Sequence, residues 1–107
     1  MNSMPKCKIT VVKKTLNKDL AKRYCQKKVG PCSTFKVGDV FITGLKKPKG
    51  FCDWAWRDIH PCVAVLLTGG NFSKGVFDGW MKDHRTMISC CTDGVRPVIF
   101  KLERIEG

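Results

Sequence analysis

The first half of the chain carries two different hydrophobic patterns. Residues 7–13 (CKITVVK) alternate between apolar and polar side chains, which is the period of a half-buried strand. Residues 17–28 instead carry apolar positions at helical spacing, and Asn17 is suited to the N-cap. A second strand is predicted at residues 40–43. The predicted buried stripe of the short helix is Leu20, Ala21, Tyr24 and Cys25.

The densest apolar segment is residues 50–70 (GFCDWAWRDIHPCVAVLLTGG), and it predicts the central helix. Asp53 is suited to its N-cap, and the paired glycines at its end stop it. Pro61 removes a backbone hydrogen bond from the interior, so we predict either a kink at His60 or two short helices, 53–60 and 61–68. The face predicted to enter the core is Trp56, Ile59, Val63 and Leu66.

The C-terminal residues predict a β-hairpin around the turn sequence TDGV. We favour a four-residue loop, 92–95, because a two-residue turn would place Pro97 in a hydrogen-bonded pair although proline has no N–H. In both registers Cys91 faces Arg96 across the ladder. Cys90 then points to the opposite side of the sheet, because successive side chains in a strand alternate.

The predicted element order is β-α-β-α-β-β, which indicates an α+β fold. We expect a small mixed or antiparallel sheet of about four strands packed by two helices, in a single domain spanning residues 1–107. Residues 71–85 form a long, aromatic, irregular stretch that is expected to cap the core or cover a site. No segment has the pattern of a signal peptide or a membrane helix, so the sequence predicts a cytoplasmic protein.

The net charge of +11 lies entirely in the first half of the chain. Residues 1–49 hold 13 Lys and Arg against 2 Asp, whereas residues 50–107 hold 7 basic and 7 acidic residues. A basic half is typical of binding to an acidic partner protein or to nucleic acid. Nucleic acid is disfavoured because no aromatic residues are interleaved with the lysines, and a solubilising lysine surface is the simplest alternative.

Seven cysteines in 107 residues are many for a chain without a secretory pattern. Because the cytosol keeps thiols reduced, a disulfide framework is disfavoured, and packing, metal binding and thiol chemistry remain. The two histidines, His60 and His84, are expected to be a helix residue satisfied by a backbone carbonyl and a solvated loop residue. No nucleotide-binding or hydrolase motif is present.

Five motifs together resemble a family of short, functionally uncharacterised proteins found mainly in anaerobic bacteria and archaea. They are YCQKKVGPC, GFCDWAW, GGNF, GWM and CCTDGVRPVIFKLERI. The resemblance covers residues 9–105 and implies a single cytoplasmic domain in an oxygen-poor setting, without an assigned catalytic role. The motif cysteines of the family correspond to Cys25, Cys32, Cys52, Cys90 and Cys91, whereas Cys7 and Cys62 lie outside the pattern.

The leading hypothesis is a metal or iron–sulfur site. Three of the five motif cysteines, Cys32, Cys52 and Cys91, lie in loops or at element ends, where ligands from distant segments can converge. Thiolates suit zinc or an iron–sulfur cluster, and the anaerobic resemblance favours the cluster. The candidate ligands are Cys25, Cys32, Cys52, Cys90 and Cys91. The absence of any CxxC pair argues against a zinc ribbon.

The main alternative is a thiol redox or sulfur-transfer protein that binds no metal. Cys52 precedes the central helix, whose N-terminal dipole favours thiolate, and Cys91 is expected to have Arg96 as a thiolate-stabilising neighbour. The three tryptophans, Trp54, Trp56 and Trp80, are expected in the core or at an interface. If exposed, they would favour a homo-oligomer.

Overall fold

The predicted first strand is the centre of the sheet. In the computed structural model, which describes residues 4–106, β1 spans Pro5–Lys14 and directs Cys7, Ile9 and Val11 into the core. All three are almost fully buried, as the alternation of the sequence predicts. The other elements are α1 (Lys18–Tyr24), β2 (Val40–Thr43), α2 (Asp53–Leu67), a short 3-10 turn (Gly75–Phe77), β3 (Thr86–Cys90) and β4 (Val98–Glu106).

The four strands form one antiparallel sheet in the order β2-β1-β4-β3. This architecture confirms the α+β prediction and selects the antiparallel alternative. β1 and β4 occupy the centre, where the buried side chains Val98, Phe100 and Leu102 of β4 continue the apolar face of β1. Neither helix among residues 4–106 combines the length and the apolar character that crossing a membrane requires.

The second helix covers the apolar face of the sheet. Its buried residues, Ala55, Ile59, Val63 and Leu66, recur at helical spacing and face the strands. α2 continues through Pro61 as a single helix, so two separate helices are not formed. Burial of apolar residues on both sides of the proline holds both halves of the helix against the same sheet.

The first helix differs from the prediction. Of its expected buried stripe only Ala21 is buried, while Leu20 is 40% and Tyr24 70% exposed. Within the described part of the chain, no other helix or strand packs against α1. Asn17 takes the N-cap position, but its side-chain amide donates to Gly94 O at 2.6 Å instead of capping the helix. α1 is therefore tied to the β3–β4 loop by its start, without docking its apolar side on the sheet.

Part of the long stretch after α2 caps the core, which was one of the two expected roles. Phe72 is buried and its ring lies 5.0 Å from that of Phe77. The carboxamide of Asn71 accepts the N–H groups of Ser73 and Lys74 at 3.0 and 2.9 Å, which fixes the turn that follows. None of these residues reaches the cysteine pocket described below.

Candidate functional site

Three of the five candidate cysteines surround one pocket of about 410 Å³ at the N-terminal end of α2. Cys32 comes from the connection between α1 and β2, Cys52 directly precedes α2, and Cys91 begins the loop between β3 and β4. All three are partly exposed, so the thiols are neither sealed in the core nor free in solvent. The pocket is completed by Thr34, Phe35, Trp54, Ala55, Thr92, Asp93, Arg96 and Val98.

The segment that carries Cys32 has no secondary structure and is fixed by its neighbours. Lys14, at the end of β1, donates from Nζ to Cys32 O at 2.7 Å and to Phe35 O at 2.8 Å. The ring of Phe35 packs 5.0 Å from that of Phe51 and 5.2 Å from that of Phe100. One charged hydrogen-bond donor and one buried ring therefore position Cys32 at the pocket.

Replacing Lys14 with methionine is expected to lower the free energy of unfolding by about 1–3 kcal/mol, because two carbonyls lose a charged donor. Urea denaturation measures this loss. Lys13 is exposed beside it, so Lys13→Met is the matched control and is expected to change stability by less than about 0.5 kcal/mol. Equal effects of the two substitutions would show that the Lys14 hydrogen bonds contribute nothing.

The start of α2 differs from the prediction in a way that affects the site. Cys52, and not Asp53, occupies the N-cap position, and no side chain caps the helix. The carboxylate of Asp53 points to solvent and pairs with Lys47, so it does not compete for the first N–H groups of the helix. Trp54 and Ala55, in the first turn of α2, form one wall of the pocket. At this end of a helix the dipole favours negative charge.

The β3–β4 hairpin has a different register from either predicted one. Cys90 pairs with Ile99, and the connecting loop spans residues 91–97. Cys91 therefore lies opposite Val98, whose N–H donates to Cys91 Sγ at 3.3 Å while Cys91 N–H donates to Val98 O at 3.2 Å. The expectation that Cys91 faces Arg96 across the ladder is wrong, because the loop is longer than the turn sequence alone implies.

Arg96 is held in the loop by Asp93. The Asp93 carboxylate accepts the N–H groups of Val95 and Arg96 at 3.0 and 3.1 Å, and Arg96 Nε donates to it at 3.2 Å. Burial raises the pKa of Asp93, but these hydrogen bonds and the charge of Arg96 outweigh it and lower the pKa overall. Asp93 is therefore ionised near neutral pH and keeps the guanidinium at the pocket.

Cys32 is the pocket thiol whose surroundings favour the thiolate. Burial is the largest single influence and raises its pKa. It is outweighed by hydrogen bonds from the N–H and hydroxyl groups of Thr34, by the positive charge of Arg96 and by the N–H of Phe35. The pKa of the Cys32 thiol consequently lies below that of an ordinary cysteine. The charge of Arg96 therefore acts on Cys32, which the sequence alone did not predict.

The remaining cysteines lie away from the pocket. Cys25 lines a separate groove beside α1, and Cys90 is exposed at the end of β3. Burial raises the pKa of Cys7 to about 11 and also raises that of Cys62, so both behave as packing residues. Among residues 4–106 no three His, Cys, Asp or Glu side chains are grouped closely enough to hold a metal ion.

Several groups at the site carried no functional signal in the sequence. Thr34 lies in an irregular segment without a motif, and Lys14 is one of many lysines in the basic half. The sequence identifies Asp93 as a turn residue, but the hydrogen bond that it accepts from Arg96 depends on the loop conformation. His60 behaves as expected, because its Nε2 lies 3.2 Å from Leu45 O, a backbone carbonyl.

Comparison with known proteins adds no further assignment. No family model matches the chain, and no curated protein or solved structure shows significant similarity to it. The resemblance drawn from the five motifs therefore stays a prediction, and the inferences about function rest on the pocket itself.

Proposed function

We propose that this protein is a thiol redox protein in which Cys32 attacks a substrate disulfide and a second cysteine of the same pocket completes the exchange. The observation that carries the proposal is the position of Cys32, Cys52 and Cys91 around one pocket, and the lowered pKa of the Cys32 thiol supports it. The thiolate is the reactive form of cysteine, so the thiol with the larger thiolate fraction near neutral pH is favoured as the nucleophile.

The exchange proceeds in two balanced steps. The Cys32 thiolate attacks one sulfur of a substrate disulfide, forming a mixed disulfide and releasing the other substrate sulfur as a thiolate that takes a proton from water. The thiolate of Cys52 or Cys91 then attacks Cys32 Sγ, forming a protein disulfide and releasing the second substrate thiol. The substrate gains two electrons and two protons, the protein loses the same number, and a dithiol reductant returns the protein to its starting state.

The pocket offers each step a favourable environment. The positive charge of the Arg96 guanidinium stabilises negative charge on Cys32. The hydrogen bond from Val98 N–H to Cys91 Sγ fixes the position of that sulfur beside the pocket. Trp54, which is 71% exposed at the rim, provides an apolar surface for a substrate.

Alkylation of each cysteine with iodoacetamide, followed by mass spectrometry of the peptides, tests the proposal. Cys32 is expected to react first near neutral pH. Cys90 is the internal control, because it is more exposed than Cys32 and would be labelled first if access alone set the rate. Reaction in order of exposure would remove the support for Cys32 as the nucleophile.

A zinc or iron–sulfur centre on Cys32, Cys52 and Cys91 is the second candidate, and their position around one pocket favours it. The arrangement of the described residues does not fit such a centre as it stands, because no three potential ligands are grouped closely enough. Stoichiometric metal or acid-labile sulfide in protein purified without oxygen and chelators would replace the thiol proposal with this one. Metal-free, folded protein would exclude it.

A further inference from the structure

A second cavity, of about 560 Å³, lies between α1 and the segment that follows it. It is separate from the cysteine pocket, and the two share no lining residue. We call this cavity the α1 groove. Its lining residues are Leu16, Lys18, Ala21, Lys22, Cys25, Gln26, Lys27, Lys28 and Val29.

The lining of the α1 groove is partly aliphatic, and all of its charged side chains are positive. Leu16, Ala21 and Val29 contribute aliphatic surface, and four lysines contribute the charge. No acidic side chain lines the groove, so its positive potential is not neutralised from within. An occupant that complements this lining carries aliphatic side chains between carboxylates.

The chain itself supplies no such occupant among residues 4–106. No other helix or strand packs against α1, and Leu20 and Tyr24 lie exposed on the same helix. An amphipathic helix without a packing partner is unusual in a small domain, because most helical stability comes from tertiary contacts. Leu20 and Tyr24 do not line the groove, but no other helix or strand covers α1, so the groove is open to a second molecule.

We propose that the α1 groove binds an acidic amphipathic segment of another protein. A leucine-sized side chain would pack against Leu16 and Val29, the partly exposed aliphatic residues of the lining, while flanking Asp or Glu residues would pair with the lysines around the groove. The volume of about 560 Å³ is within the range of pockets that enclose a small ligand, so it can also enclose an aliphatic side chain. This inference is independent of the thiol proposal, because the residues of the two sites do not overlap.

The lining favours a peptide over nucleic acid. Lysines attract phosphates, but single-stranded nucleic acid also requires aromatic or guanidinium planes on which bases stack. The groove offers neither, and the neighbouring Tyr24 ring is already stacked by the guanidinium of Arg23, whose central carbon lies 5.5 Å from the ring centroid. An aliphatic lining packs better against an aliphatic side chain of a peptide than against a nucleotide base.

Fluorescence anisotropy with a short synthetic peptide tests the inference. The peptide carries two leucines one helical turn apart and glutamates at the other positions, and a second peptide has serines in place of the leucines. Binding of the leucine peptide at low salt is expected to weaken roughly tenfold in Lys22→Glu/Lys28→Glu protein. The serine peptide is expected to bind the unaltered protein roughly tenfold more weakly than the leucine peptide.

Lys49→Glu/Lys82→Glu protein is the matched control, because both lysines are exposed, lie outside the groove and give the same net charge. Its affinity for the leucine peptide is expected to fall less than about threefold. No binding, equal losses in the two double variants, or equal affinity for both peptides would overturn the inference. Tighter binding of a single-stranded oligonucleotide would assign the groove to nucleic acid, and self-association lost in Lys22→Glu/Lys28→Glu protein would assign it to a second copy.

Discussion

Replacing Cys32 with serine is expected to lower the rate of exchange with a small chromogenic disulfide by roughly tenfold at pH 7 and to abolish the protein disulfide that follows. The reason is that Cys32 is the pocket thiol whose pKa is lowered by its hydrogen bonds and by Arg96. Released aromatic thiol, followed by its absorbance, gives the rate. Peptide mapping after exchange identifies the disulfide, expected between Cys32 and either Cys52 or Cys91.

Cys90→Ser is the matched control for this substitution. Cys90 is the exposed cysteine at the end of β3 and lies outside the pocket, so its loss is expected to leave the protein disulfide intact. The proposal fails if Cys32→Ser protein exchanges as fast as the unaltered protein. It also fails if the disulfide still forms without Cys32.

Replacing Phe100 with alanine is expected to lower the free energy of unfolding by about 3–5 kcal/mol. Phe100 is fully buried in β4, and its ring packs against the rings of Phe35 and Phe51 at 5.2 and 5.4 Å. Phe35 lines the cysteine pocket and Phe51 directly precedes Cys52. The substitution therefore removes the sheet residue on which two segments of the site rest, and urea denaturation measures the cost.

Phe77→Ala is the matched control, because Phe77 is 40% exposed and contacts the ring of Phe72 alone among the aromatic pairs described. Its loss is expected to cost about 1 kcal/mol. Phe100→Leu keeps most of the buried volume and is expected to fold. If Phe100→Ala protein does not fold, the loss of stability is measured on Phe100→Leu protein instead. Similar costs for Phe100→Ala and Phe77→Ala would contradict the role given to the buried ring.

Regular elements of the fold were predictable because each has a single dominant pattern. The alternation around Ile9 defines β1, and the helical spacing of Ile59 and Val63 defines α2. The environment of α1 was not predictable, because an amphipathic pattern shows that a helix has an apolar side but not what covers it. The N-cap is Cys52 and not Asp53, whose carboxylate pairs with Lys47 instead of capping the helix.

The site was predictable only in part. Loop positions suggested that Cys32, Cys52 and Cys91 converge, and all three line one pocket. The cysteine on which Arg96 acts was not predictable, because it depends on the register of the hairpin. The Asp-Gly dipeptide favours a shorter loop than the one formed. Thr34 donates its hydrogen bonds to Cys32 from a segment without regular secondary structure. In such a segment, no periodicity of the sequence predicts which way a side chain points.

The most direct test of the central claim is the alkylation rate of each cysteine as a function of pH, compared between the unaltered protein and Arg96→Gln protein. The midpoint of Cys32 is expected to lie below that of an ordinary cysteine, and Arg96→Gln is expected to shift it to higher pH. Arg85→Gln, an exposed arginine outside the pocket, serves as the control. A Cys32 midpoint no lower than that of an ordinary cysteine, or one unaffected by Arg96→Gln, would contradict the account.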